Sequence, residues 1–116
     1  GKFVYLDFWA SWCPPCVASF PFMDEMHHKY ESDGLIVLAV SVDAKKDDAL
    51  KFVSKTKPAF QTAIDTSGAC PKAFNVKAMP SSFLIDPDGQ IVMTHLGFRK
   101  SDIDKIESSL KTLLTN

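Results

Sequence analysis

The chain has 116 residues, 46% of them hydrophobic and 23% charged, which fits one soluble domain with its own core and leaves little room for a second. Its 13 basic and 14 acidic side chains are scattered, and the net charge of −1 excludes a mainly electrostatic partner such as nucleic acid or an anionic lipid surface. No apolar run approaches the roughly 18 residues that a bilayer span requires.

The first element is Phe3-Val4-Tyr5-Leu6-Asp7-Phe8-Trp9, a β-branched and aromatic run that predicts a buried strand with one acid inside it. A helix should follow from about Cys13 to Tyr30. Pro14 and Pro15 fall in its first turn, where a missing N–H costs nothing. Val17, Phe20, Met23 and Met26 recur at helical spacing and give it an apolar face, while Pro21 should kink it. Asp33-Gly34 marks a turn into a second strand, residues 35–42, apolar almost throughout as a strand covered on both faces would be. Residues 47–57 read as an amphipathic helix carrying Leu50 and Val53, stopped by Pro58, with its lysines on a solvated face. A short strand over 60–64 and a short helix over 70–74 come next. Strands over 82–85 and 91–95 are joined by Asp86-Pro87-Asp88-Gly89, a hairpin turn signal. Ser101-Asp102 should cap a last helix bearing Ile103, Ile106, Leu110 and Leu113 or Leu114. The order β-α-β-α-β-α-β-β-α predicts an α/β sandwich, mostly parallel, with an antiparallel hairpin at one edge.

Only three cysteines are present, and two of them, in Trp12-Cys13-Pro14-Pro15-Cys16, sit where a strand gives way to a helix. A loop of that size is too short to staple elements together, so its value is chemical. A sulfur at a helix N-terminus lies among unpaired N–H groups and the positive end of the macrodipole, and both favour the thiolate, the attacking species. Cys13 would attack a substrate disulfide, and the more buried Cys16 would resolve the mixed disulfide by attacking Cys13. Pro14 and Pro15 remove two N–H donors and bring no positive charge, so the dithiol should be a reductant more than a strong oxidant. Resolution needs a proton acceptor. Asp7, in mid-strand six residues before Cys13, would have its pKa raised by burial and so exchange protons near neutral pH. Met79-Pro80, just ahead of a strand, is a candidate cis peptide bond whose free backbone at Met79 could pair with an extended substrate segment.

Residues 7–16, Met79-Pro80-Ser81-Ser82-Phe83-Leu84-Ile85-Asp86-Pro87-Asp88-Gly89 and Gly97 together resemble the thioredoxin superfamily, in particular its TlpA/ResA-like thiol–disulfide interchange proteins, and the similarity of layout covers essentially the whole chain. The resemblance implies a thioredoxin fold, a mixed central sheet flanked by helices in one domain spanning 1–116. It implies a nucleophilic Cys13, a resolving Cys16 and a cis-proline loop at Pro80 facing them. Trp12 then flanks the site, and Gly97 admits a partner's backbone. Three departures stand out. Ser19 replaces a glutamate common three residues after the second cysteine. Many members of the branch have asparagine where Asp7 stands. Ala39 occupies the site of the lysine that partners the acid in thioredoxins. The family's N-terminal strand or hairpin is not expected within this sequence, since Gly1-Lys2 falls just before the first central strand. With no signal-peptide pattern at its start, the chain reads as a mature or trimmed segment.

The resemblance further implies protein thiol or disulfide substrates, an upstream thiol electron donor such as a membrane protein, and an extracytoplasmic, periplasmic site of action. Keeping the haem-attachment cysteines of apocytochrome c reduced is one task within the branch. No cofactor beyond the Cys13–Cys16 couple, no metal and a monomeric state are expected. The competing readings are a thiol peroxidase, which the paired cysteines disfavour, and a redox-inactive or metal-binding module. Cys70 reads as a small buried or half-buried apolar residue, His95 as a surface residue of an edge strand, and Trp9 as core. His27 and His28, adjacent on a helix, point to different sides and make no zinc spacing with the cysteines.

Overall fold

A computed structural model describes residues 2–115; Gly1, placed by the sequence just ahead of the first strand, and Asn116 lie outside them. The elements are β1 (Phe3–Trp9), α1 (Pro14–Tyr30), β2 (Leu35–Ser41), α2 (Lys46–Thr56), β3 (Gln61–Ile64), α3 (Ala69–Ala73), β4 (Ser81–Ile85), β5 (Ile91–Leu96) and α4 (Ile103–Thr115). Short 3-10 turns, Glu31–Asp33 and Lys100–Asp102, precede β2 and α4. The expected order is therefore present in full, with boundaries shifted by a residue or two.

The five strands form one sheet in the order β3-β2-β1-β4-β5. β1 pairs in parallel with β2, and β2 with β3; β4 lies antiparallel to both β1 and β5. The sheet is thus evenly mixed rather than mostly parallel. The antiparallel hairpin lies at one edge as expected, with β5 outermost and β4 beside the central strand, joined through the Asp86–Gln90 turn, where the Asp86 N–H donates to the Gln90 carbonyl at 2.8 Å.

Strand alternation divides β1 between two cores. Tyr5 and Trp9 join the larger one with Phe20, Met23 and Met26 of α1 and Ile106 and Leu110 of α4, while Leu6 and Phe8 face a smaller one with Val40 and Phe83. Trp9 is core, as expected. Its ring sits 4.9 Å from those of both Phe20 and Phe52, and Phe60 closes the group 5.2 Å from Phe20. Each aromatic pair of this kind adds about 1 kcal/mol beyond its area burial, and together they pin α1 against the end of β1 that leads into the cysteines.

Two helical faces differ from expectation. In α1 the buried stripe runs through Cys16, Ser19, Phe20, Phe22, Met23, Met26 and Tyr30, leaving Val17 exposed. In α2 the inward residues are Ala49, Phe52 and Val53, spaced i, i+3, i+4, and Leu50 is rotated one residue out to solvent. Ser101-Asp102 does not cap α4 directly. It closes the 3-10 turn before it, and the Asp102 carboxylate reaches back to accept the Arg99 N–H at 2.9 Å.

Candidate active site

β1 delivers the chain at Trp9 to a turn, Ala10-Ser11-Trp12, in which the Cys13 N–H donates to the Ala10 carbonyl at 3.2 Å. Cys13 is extended (φ −105°, ψ 105°) and is the N-cap of α1, with Pro14 and Pro15 in the first two helical positions. Neither proline offers an N–H, so the first amide able to reach the sulfur is that of Cys16, which donates to Cys13 Sγ at 3.3 Å. The two Sγ atoms are at disulfide-bonding distance. Cys16 is fully buried and Cys13 retains 5% exposure, so Cys13 is the sulfur nearer solvent. Trp12 beside it is 68% exposed, and Pro14, Pro15 and Val17 complete an exposed apolar rim.

Asp7 lies two residues before the end of β1, on the same face as Tyr5 and Trp9, the face that packs on Cys16. It is 1% exposed. Burial pushes its carboxyl up from 3.8 to about 7, an effect the Ser82 hydroxyl partly offsets by donating to Oδ1 at 2.9 Å. Among the described residues Oδ2 has no hydrogen-bond partner. Across the parallel ladder Asp7 faces Ala39, whose methyl brings no charge, so desolvation dominates. Ser19, where a glutamate is common in the resembled branch, is buried and donates instead to the Cys16 carbonyl at 2.7 Å.

The Met79–Pro80 bond is cis, and Pro80 is buried. Phe8 pairs with Ser81, which puts Pro80 alongside the end of β1, at the same end of the sheet as the cysteine turn. Met79 enters no backbone hydrogen bond among the described loops and turns. The Gly97 N–H donates to the Pro80 carbonyl at 2.7 Å, tying the end of β5 to this loop. Gly97 has φ +76° and open space where a Cβ would stand, so an L side chain there would be strained by the backbone conformation alone.

Asp43, just past β2, was not anticipated from the sequence. It is buried and holds the cysteine turn from the side: the Ser11 N–H donates to Oδ2 at 3.0 Å, the Ser11 hydroxyl to Oδ1 at 2.8 Å, and the Ser41 hydroxyl to Oδ2 at 2.6 Å. The signal was there in an acid at the carboxyl end of a central parallel strand, where α/β sheets gather their functional groups. Two other residues depart from expectation. Cys70 is exposed rather than buried, because α3 is one short turn with no buried residue. His95 is half-buried rather than on the surface, because Asp102 covers its ring with Oδ2 3.2 Å from Nε2.

The family model described as Redoxin matches residues 1–114. The thiol-disulfide oxidoreductase ResA of Bacillus thuringiensis subsp. konkukian is 34% identical over 113 residues, covering 97% of this chain and 64% of that protein. ResA of Geobacillus kaustophilus is 36% identical over 112 residues, 96% of this chain and 64% of its own length. The chain thus spans just under two thirds of these relatives. Among solved structures, a protein of Chlorobium tepidum described as thiol:disulfide interchange protein DsbE superposes with a TM-score of 0.96 at 46% identity, over 98% of this chain and 81% of that one. The exposed lipoprotein thioredoxin Etrx1 of Streptococcus pneumoniae gives 0.75 at 34% identity, over 97% and 85%. Matched over residues 1–114 by that family model and at 34–36% identity by ResA proteins, the chain belongs to the Redoxin family, on the TlpA/ResA-like side of the thioredoxin superfamily.

Proposed function

We propose that this chain is a thiol–disulfide oxidoreductase that reduces disulfides in protein partners. The observation that carries this is the Cys13–Cys16 pair at the start of α1, with one sulfur toward solvent and the other buried on the face that holds Asp7. In the reduced protein the Cys13 thiolate attacks a partner disulfide, one partner sulfur leaves as thiolate, and a mixed disulfide forms. Cys16 then gives its proton to Asp7 and attacks Cys13 Sγ; the bond to the partner breaks, the partner is released reduced, and Cys13–Cys16 is oxidised. The direction rests on Pro14 and Pro15. With a single N–H at the sulfur, the thiolate is only moderately stabilised, which favours a reductant.

Trp12, Pro14, Pro15, Met79 and Gly97 form the docking rim, with Pro80 buried beneath it and shaping the loop. The free Met79 backbone offers hydrogen bonds to an extended segment, and the apolar surfaces of Trp12 and Val17 suit a protein rather than a small polar thiol. The couple needs no cofactor besides its own disulfide. Electrons come from an upstream thiol donor, a membrane protein in this reading. The site of action is extracytoplasmic, supported by the pneumococcal relative described as an exposed lipoprotein. Reduction of apocytochrome c cysteines is one task within the branch, and no residue of this site selects it over other protein disulfides. The test is substrate trapping: C16S should accumulate mixed disulfides with partner proteins and C13S none. Equal trapping by both, or by neither, overturns the reading.

A further inference from the structure

The Asp7 carboxyl is sealed from water, yet the exchange reading requires it to take a proton from Cys16 and release it on every cycle. The ladder pairs Asp7 with Ser82 and Ser82 with His95, so three polar side chains stand in one row, on one face, across β1, β4 and β5. Directly opposed residues hold their Cβ atoms about 5 Å apart. At the inner end the Ser82 hydroxyl donates to Asp7 Oδ1 at 2.9 Å. At the outer end His95 Nε2 stands 3.2 Å from Asp102 Oδ2, close enough for an ion pair though not aligned as a hydrogen bond, and the imidazole is 21% exposed.

We propose that Ser82 and His95 are the route by which Asp7 exchanges its proton with solvent, Asp102 holding the imidazole at the outer end. The proposal rests on the exchange reading above and adds the residues that reset its acid. In the resetting step protonated Asp7 gives its proton to Ser82 Oγ. The Ser82 hydroxyl, which in this structure points to Asp7 and makes no hydrogen bond to His95, turns and passes its own proton to the ring. The imidazolium then releases a proton to water from its exposed edge, Nε2 being buried. Asp7 ends ionised, with Ser82 and His95 neutral as they began.

The surroundings leave this path in place of others. Tyr5 flanks Asp7 on β1 and its phenol lies against Ser82, but the ring is buried and gives the proton no outlet to water. β2 offers Ala39. The buried residues of α1 include no charged side chain, and those of α4 are Ile106 and Leu110. Among the described residues Ser82 is the only side chain that hydrogen-bonds Asp7. His95 itself is faced by Asp102, which also accepts the Arg99 N–H at 2.9 Å and lies 3.9 Å from Arg99 Nε. Asp102 is held below its usual range by that N–H first and by His95 second, so it stays anionic and can balance an imidazolium.

The test is steady-state disulfide turnover in the C70S background at pH 7, comparing wild type with H95Q and S82A, while the carboxyl infrared band follows Asp7. Turnover of H95Q should fall at least about fivefold with the Asp7 titration unmoved, and imidazole in the buffer should restore it, as expected where a general acid–base group has been removed. S82A should be slowed without rescue and with Asp7 raised further, since its hydroxyl no longer offsets the burial, and H95N repeats the test if H95Q does not fold. A wild type that does not turn over at all sinks the exchange reading. A working wild type matched by both variants, with Asp7 exchanging through local opening, overturns the relay alone. So does an H95Q whose loss imidazole cannot restore.

Discussion

Replacing Asp7 with Asn should stabilise the protein above neutral pH and not at pH 4, by an amount that follows from the titration of the carboxyl. The carboxyl moves from 3.8 in the unfolded chain to about 7 in the folded one, because burial penalises its charge. Below pH 3.8 it is neutral in both states and costs nothing. Between 3.8 and about 7 the folded state holds a proton that the unfolded state has lost, so stability falls by about 1.4 kcal/mol per pH unit. Above pH 7 the deficit is constant, at about 4 kcal/mol. Asn keeps an oxygen to accept the Ser82 hydroxyl but puts an NH2 where Oδ2 has no partner, which costs about 1–3 kcal/mol. D7N should therefore be no more stable than wild type at pH 4 and more stable by about 2 kcal/mol at pH 8. Urea unfolding of the oxidised form across that range measures the difference. A gap that does not widen with pH, or wild-type stability that rises from pH 4 to 7 relative to D7N, refutes the assignment of a raised, buried carboxyl.

Removing the Asp43 carboxylate with D43A leaves the Ser11 N–H and two hydroxyls without an acceptor; urea unfolding should show a loss of about 2–4 kcal/mol, and exchange should slow as the cysteine turn loosens. P15H restores an N–H and brings a positive charge to the first turn, so glutathione titration should give a more oxidising couple and alkylation should show Cys13 reactive at lower pH. Phe20 packs on Trp9, Phe52 and Phe60, so F20A should cost about 3–5 kcal/mol in thermal or urea unfolding.

The parts of the molecule legible in the sequence are those where one local pattern decides the outcome. The apolar run of β1 with Asp7 inside it, the prolines at the start of α1, and the Asp86–Gly89 turn all read directly because propensity and packing agree there. What escaped depended on partners distant in sequence. Asp43 matters through Ser11, 32 positions away, and no spacing rule connects the two. His95 looked like a surface residue because alternation on an edge strand says nothing about Asp102, which folds over it from the next turn. Val17 and Leu50 sat at helical spacing with true core residues, yet each lies one residue off the stripe that tertiary packing selected. The parallel expectation for the sheet failed at β4 because the β-α-β rule covers crossovers, whereas β4 enters from the cis-proline loop.

The most direct test of a reducing Cys13–Cys16 couple is its redox potential, measured in C70S by equilibration with dithiothreitol or glutathione. A value close to thioredoxin's, about −270 mV, is what a sulfur served by one N–H and two prolines predicts. A value above about −180 mV, in the range of protein disulfide isomerase, would make the couple an oxidant or isomerase and contradict the account.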